Sequence, residues 1–157
     1  MKKGMTKFFM CILTAIIAVF CLVSCNQGGT TKAKLEFSNA EQIVMMIEET
    51  DGKATAFDAL TSLKDQGLIS FEYNESTYGA YITSINGKAE QILESTANSS
   101  KGYSWTLYTS DMQNAYTETT VTYGDVVCGL SAYGASSLVV KEGALYVWVY
   151  EYYDYAW

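Results

Sequence analysis

Tyr78-Gly79-Ala80-Tyr81-Ile82-Thr83-Ser84-Ile85-Asn86-Gly87-Lys88 states a strand and the turn that ends it. From Ala80 to Ile85, small or hydroxylated residues alternate with large apolar ones, the period of a strand with one covered face. Asn86-Gly87 is the dipeptide that most readily takes the two positive φ angles of a tight hairpin turn. Gly79, between two tyrosines, marks a place where the backbone bends or another segment passes close.

Upstream, Ile43-Val44-Met45-Met46-Ile47 fits a strand covered on both faces or a short buried helix, and the Asp51-Gly52 turn that follows favours the strand. The period then changes. Ala56, Phe57, Ala59, Leu60 and Leu63 fall at helical spacing, Thr55 and Asp58 form a helix-start pair, and Gly67 is a terminator. Leu68 to Tyr73 reads as a strand with Ile69, Phe71 and Tyr73 on one face. Downstream, Ala89 to Leu93 is followed by a polar run, Glu94 to Gly102, expected to be a loop. Tyr103 to Tyr108 alternates, with Tyr103, Trp105 and Leu107 on one face. Thr117 to Tyr123, Val126 to Leu130 and Ser137 to Val140 are shorter β-prone pieces. In the final strand, Ala144 to Tyr150, one face is aliphatic (Leu145, Val147, Val149) and one aromatic (Tyr146, Trp148, Tyr150). The aliphatic face is expected in the core, leaving the aromatic face for a ligand, a second layer or a partner.

The chain opens with Lys2, Lys3 and Lys7 before an apolar run from Phe8 to Val23, the layout of a secretion signal and shorter than a membrane span. Leu22-Val23-Ser24-Cys25 resembles the bacterial lipobox, in which the signal is cut before the cysteine and its sulfur takes a diacylglycerol. The alternative is an ordinary signal or an uncleaved anchor. The expected organisation is therefore a signal peptide over 1–24, a lipidated Cys25 with a flexible tether over 25–34, and one domain over 35–157. Two acyl chains anchor a protein stably, so the expected location is extracytoplasmic at the cell membrane. Asn26 in place of an aspartate points to the outer membrane in a two-membrane cell.

Removal of three of the ten lysines with the signal leaves 17 acids against seven lysines, a balance of −10, and the chain has no arginine. Nucleic acid is excluded as a partner on that ground. Cys128 is the one cysteine left for the domain, without a partner for an internal disulfide, and it sits beside Val126 and Val127 as a small hydrophobe. The sequence holds no histidine, which removes the Ser-His-acid and Cys-His arrangements and imidazole metal sites. No loop shows the acidic spacing of a calcium site, and pairs such as Glu48-Glu49 fit a solvated face better than a glycosidase. A binding protein without catalytic residues or a metal is the expectation.

The run from Tyr78 to Gly87 resembles the signature strand of the transcobalamin-like C-terminal domain family. Thr55-Ala56-Phe57-Asp58-Ala59-Leu60, Trp105, and Leu138 to Tyr146 are similar to the family's helix start, Trp-bearing strand and closing turn-strand unit, in the same order. Two features depart from it. Gly143-Ala144 stands where the family often has Gly-Asp, and Met112 to Gly134 is longer than the corresponding connection. The resemblance implies an α+β, β-grasp-like mixed sheet packed on one helix, with an extra β-rich insertion before the last strand. It also implies capture of a small ligand, with cobalamin or another corrinoid as the family's case. The vertebrate carriers close this domain over a corrinoid beside a helical domain that has no counterpart in this sequence. The aromatic residues expected at such a site are Tyr78, Tyr81, Trp105, Tyr108 and Trp148. A second reading is a surface module that binds a protein or glycan through Tyr150-Glu151-Tyr152-Tyr153-Asp154-Tyr155-Ala156-Trp157.

Overall fold

The computed structural model describes residues 28–157; the expected signal peptide and the expected lipidation of Cys25 fall outside the described residues. Among the described residues, ten strands and one α-helix follow in the order β1 (Thr31–Ser38), β2 (Gln42–Thr50), α1 (Ala56–Asp65), β3 (Phe71–Ser76), β4 (Gly79–Ile85), β5 (Lys88–Ala89), β6 (Gln91–Ser95), β7 (Ser99–Thr109), β8 (Ala115–Tyr123), β9 (Val126–Ser131) and β10 (Leu145–Ala156). The main sheet runs β1-β2-β10-β7-β9-β8 with β6 also on β7, and β3-β4-β5 form a small second sheet. Every strand pair is antiparallel. The fold is thus mainly antiparallel β with one short helix, and the expected mixed sheet is corrected to an antiparallel one.

The helix forms as its sequence dictates. The Thr55 side chain accepts from the Asp58 N–H while Asp58 accepts from the Thr55 N–H at 2.7 Å, a reciprocal cap that satisfies two otherwise orphaned donors. Ala56, Ala59, Leu60 and Leu63 are fully buried. They pack in one cluster with Ile43, Met45 and Ile47 of β2, Trp105 and Leu107 of β7, Tyr146, Trp148 and Tyr150 of β10, and Phe71, Ile82 and Ile85 of the small sheet. Helix and small sheet together cover one face of the main sheet.

A second cluster lies on the opposite face, where Val44, Tyr108, Cys128, Leu145 and Val147 meet. Its cover is the β8–β9 hairpin. Tyr123 at its turn lies 6.2 Å from Phe37 of β1 and its hydroxyl donates to the Glu36 carbonyl. The hairpin therefore folds back across the sheet to the far edge strand. As a result β10 is buried on both faces near its start. Of the three uses expected for its aromatic face, a ligand, a second layer or a partner, the second layer holds for Tyr146, Trp148 and Tyr150, which pack into the helix-side core.

The opening stretch is the strand and turn expected. Asn86 and Gly87 have φ of 50° and 78°, and Ile85 pairs directly with Lys88. Gly79 is a point of close approach, with φ of 96° and room only for hydrogen: a Cβ there would lie 2.8 Å from the Cβ of Ser136. The Ser136 hydroxyl accepts from the Ala80 N–H at 2.9 Å, fixing β4 to the loop after β9.

Several stretches differ from expectation. Ala89 to Leu93 is divided between β5 of the small sheet and β6 of the main one, and the strand expected from Leu68 begins at Phe71. Residues 31–34, expected in a flexible tether, are the first half of β1, with Ala33 buried and its N–H donating to Ser62 of the helix. The polar run from Glu94 to Gly102 is a hairpin, closed by the Thr96 N–H donating to the Ser99 carbonyl and by a Lys101–Glu94 ion pair. Ser137 to Val140 makes only an isolated bridge between Val139 and Thr55, with Leu138 and Val140 buried.

Asp51 ties the start of β1 to the end of β2. Its carboxylate accepts from the N–H groups of Thr30, Lys53 and Ala54 at 2.8 to 2.9 Å. These backbone donors, Thr30 first, hold its pKa down to about 2 against an ordinary 3.8. Because the folded value is depressed, the stabilisation is fully present above about pH 4 and is lost as pH falls through about 2. Thermal melts of Asp51→Asn should show a lower midpoint than the parent at pH 7, with the two converging near pH 2. Urea unfolding at pH 7 should show a loss of about 1 kcal/mol for Thr55→Ala and of about 2–5 kcal/mol for Leu60→Ala, where a methyl replaces a fully buried side chain.

Candidate functional site

The main sheet splits along β7. One edge of β7 pairs with β10 from Ser99↔Ala156 to Thr109↔Tyr146. The other edge pairs with β6 only as far as Tyr103 and with β9 only from Tyr108. Residues 104–107 thus have a strand neighbour on one side alone. A cleft of about 560 Å³ lies at this split, bordered by Ser104, Trp105, Thr106 and Leu107, by β4 at Ala80 to Ile82, and by the loop after β9.

Three of the five aromatic residues expected at a site converge on this cleft: Tyr81, Trp105 and Trp148. Tyr81 is 45% exposed, whereas Trp105 and Trp148 are 5% and 3% exposed and form its inner wall. The other two do not join them. Tyr78 stands at the β3–β4 turn, 92% exposed and away from the lining, and Tyr108 is 2% exposed on the opposite face of the sheet. The Tyr108 hydroxyl there donates to the Glu151 carboxylate at 2.9 Å. Burial and then that carboxylate push its pKa up.

Several of the rings at the cleft are fixed by a definite hydrogen-bond partner. The Trp105 indole N–H donates to the Lys88 carbonyl at 2.8 Å, and the Tyr150 hydroxyl donates to the Ala89 carbonyl at 2.9 Å. These two bonds clamp β5, and with it the small sheet, onto the main sheet at the cleft's edge. Lys88 also places its ammonium 4.6 Å from the centre of the Tyr150 ring. Tyr81 donates to Glu90 at 2.8 Å, and burial, reinforced by this carboxylate, raises its pKa. It stays a neutral phenol at any physiological pH.

Trp148 is an exception. Its indole nitrogen is buried and has no hydrogen-bond partner among the described residues. A buried donor left without any partner costs about 1–3 kcal/mol, so such groups ask for an explanation.

Tyr153 and Tyr155 complete the wall from the distal half of β10, stacked at 5.4 Å with an 18° angle between rings. They were not expected at a ligand site. Their signal was available: residues two apart on a strand share a face, so Tyr153 and Tyr155 form a pair that Tyr152 does not join. The loop from Leu130 to Ala135 carries no such signal, because its place depends on where β9 leaves the sheet. None of the lining residues is charged, and among the described residues no three acids or cysteines gather as metal ligands. The cleft can therefore stack and hydrogen-bond a guest, and offers it no ionised group. The chain matches no family model, no curated protein and no solved structure.

Proposed function

We propose that this protein is a lipid-anchored, extracytoplasmic binding module that captures a small ligand in the cleft at the β7 split and performs no chemistry on it. The observation that carries the reading is the convergence of Tyr81, Trp105 and Trp148 on one open concavity. Its size, about 560 Å³, lies in the ordinary range of small-molecule sites. The aromatic wall supports the same reading, since rings supply contact area at little rotamer cost. The transcobalamin-like resemblance makes cobalamin or another corrinoid the first ligand to try, with the helix and small sheet as the β-grasp-like part of the fold and β8–β9 as an added cover.

The expected outcome is a saturable quench of tryptophan emission when the full chain is titrated with cyanocobalamin or cobinamide, and no change at tens of micromolar removes corrinoids. Tyr155→Ala should weaken capture about two- to tenfold through loss of a stacked ring, while Trp157→Ala, outside the lining, should leave it unchanged. A surface module working through its tyrosine-rich end would instead lose its partner with either substitution, since Tyr155 and Trp157 both belong to that end. The anchor has its own test. Cells fed an alkyne fatty acid should label the parent chain and move it to the membrane fraction, and Cys25→Ser should lose both label and membrane association.

A further inference from the structure

The geometry points to a neutral, hydroxyl-rich ligand for this cleft: a short uncharged saccharide of about one to three rings. This rests on the reading of the cleft as a ligand site and narrows its chemistry. Charge comes first. The lining holds no lysine, aspartate or glutamate, and Glu90 meets the cleft only through the Tyr81 hydroxyl that donates to it. An ionised guest taken out of water here would find no counter-charge, and an unpaired buried ion is costly. The acidic balance of the domain adds a further bias against anions.

An entirely apolar guest fits no better. Ser104, Thr106, Tyr153 and Tyr155 line the cleft beside the rings; the Tyr153 hydroxyl has Ser100 within reach, and a lipid or sterol would offer those of Thr106 and Tyr155 no partner. The open edge of β7 sharpens the point. In an antiparallel strand, alternate residues turn both backbone N–H and C=O to the same side. About two of residues 104–107 therefore direct donor and acceptor pairs at the gap left between β6 and β9. An extended peptide could use them, but the gap is closed at both ends by those strands. Five steps from Tyr103 to Tyr108 span only roughly 17 Å, too short for a chain that must run through.

A pyranose satisfies all of these demands together. Its ring hydroxyls give and accept hydrogen bonds in pairs, and its axial C–H groups lie against the electron-rich faces of tyrosine and tryptophan. Trp148 belongs to the same wall, so a guest seated against it changes the surroundings of its indole.

The test uses the full chain labelled with 15N-tryptophan, in a detergent without a sugar head group. Three indole signals are expected, and Trp157→Phe removes the one outside the cleft. Maltotriose, cellotriose and N-acetylchitotriose are added in turn to ~10 mM, the range of weak binding, beside trigalacturonate and cyanocobalamin. The inference requires that at least one neutral saccharide shift the Trp148 indole signal saturably, that trigalacturonate not do so, and that Thr106→Val weaken the response about five- to tenfold, the worth of one hydrogen bond. If cyanocobalamin or trigalacturonate moves the signal and no neutral saccharide does, the saccharide is wrong and the ligand site stands. If none of the probes moves either cleft indole, the saccharide inference is overturned, and the small-ligand reading loses its two leading candidates.

Discussion

The antiparallel pairing of β7 with β10, unbroken from Tyr146↔Thr109 to Ala156↔Ser99, is the constraint on which the rest of the molecule depends. Around its first half the protein is a closed two-sided core. Helix and small sheet press on Tyr146, Trp148 and Tyr150, and the β8–β9 hairpin presses on Leu145 and Val147. Beyond Val149, β2 no longer accompanies β10, so the distal part of the pair continues with β6 as a three-stranded ribbon. The cleft lies where these two regimes meet, because β6 belongs to the ribbon and β9 to the core, and neither reaches residues 104–107.

The same rings that make the cleft also hold the protein together. Trp105 lines the concavity and simultaneously donates to the β5 carbonyl that docks the small sheet. Its neighbour across the strands, Tyr150, donates to the next carbonyl and stacks on Tyr103 at 5.7 Å. A ring fixed at its polar end by a backbone acceptor loses little freedom when its face is covered, which is the physical meaning of a preorganised site. The price of that arrangement is that substitutions at Trp105 or Tyr150 confound binding with folding. Tyr81, Tyr153 and Tyr155, at the rim, are the positions where the two can be separated.

The parts of the fold written in local chemistry were legible in the sequence. The Thr55–Asp58 cap, the four buried helical positions and the Asn86-Gly87 turn each follow from short-range rules that the tertiary structure did not override. What could not be read was whatever depended on a neighbour distant in the chain. The final strand alternates aliphatic and aromatic, and no single-strand argument says which face is covered when both are. The run from Glu94 to Gly102 reads as loop because it is polar throughout. It is a hairpin exposed to water on β6, held by backbone bonds to which composition is blind. Gly102 there is no turn residue; a Cβ would lie 2.0 Å from the Gln91 carbonyl oxygen, so glycine marks close strand approach. Of the lining, Tyr81, Trp105 and Trp148 follow from the resemblance and from the aromatic content of the strands that carry them. Tyr78 and Tyr108 come from the same reasoning, which cannot tell a turn tip or a far face from a cavity wall.

The position of β1 sets a geometric condition on any membrane-bound function. Since Thr31 already lies in the sheet, only about five residues would link a lipidated Cys25 to the folded domain, a reach of roughly 17 Å instead of the longer tether that the polar composition suggests. β1 is an edge strand, and β7 lies three strands away from it in the order β1-β2-β10-β7. At about 4.8 Å per strand the cleft stands roughly 14 Å across the sheet from the attachment edge. With Cys25 lipidated as proposed, so short a leash would hold that edge at the lipid surface and leave the split in the sheet displaced from it. A ligand arriving from solution would therefore meet the aromatic wall without first crossing the head groups, and the acyl chains would serve to keep the module in place while taking no part in the site.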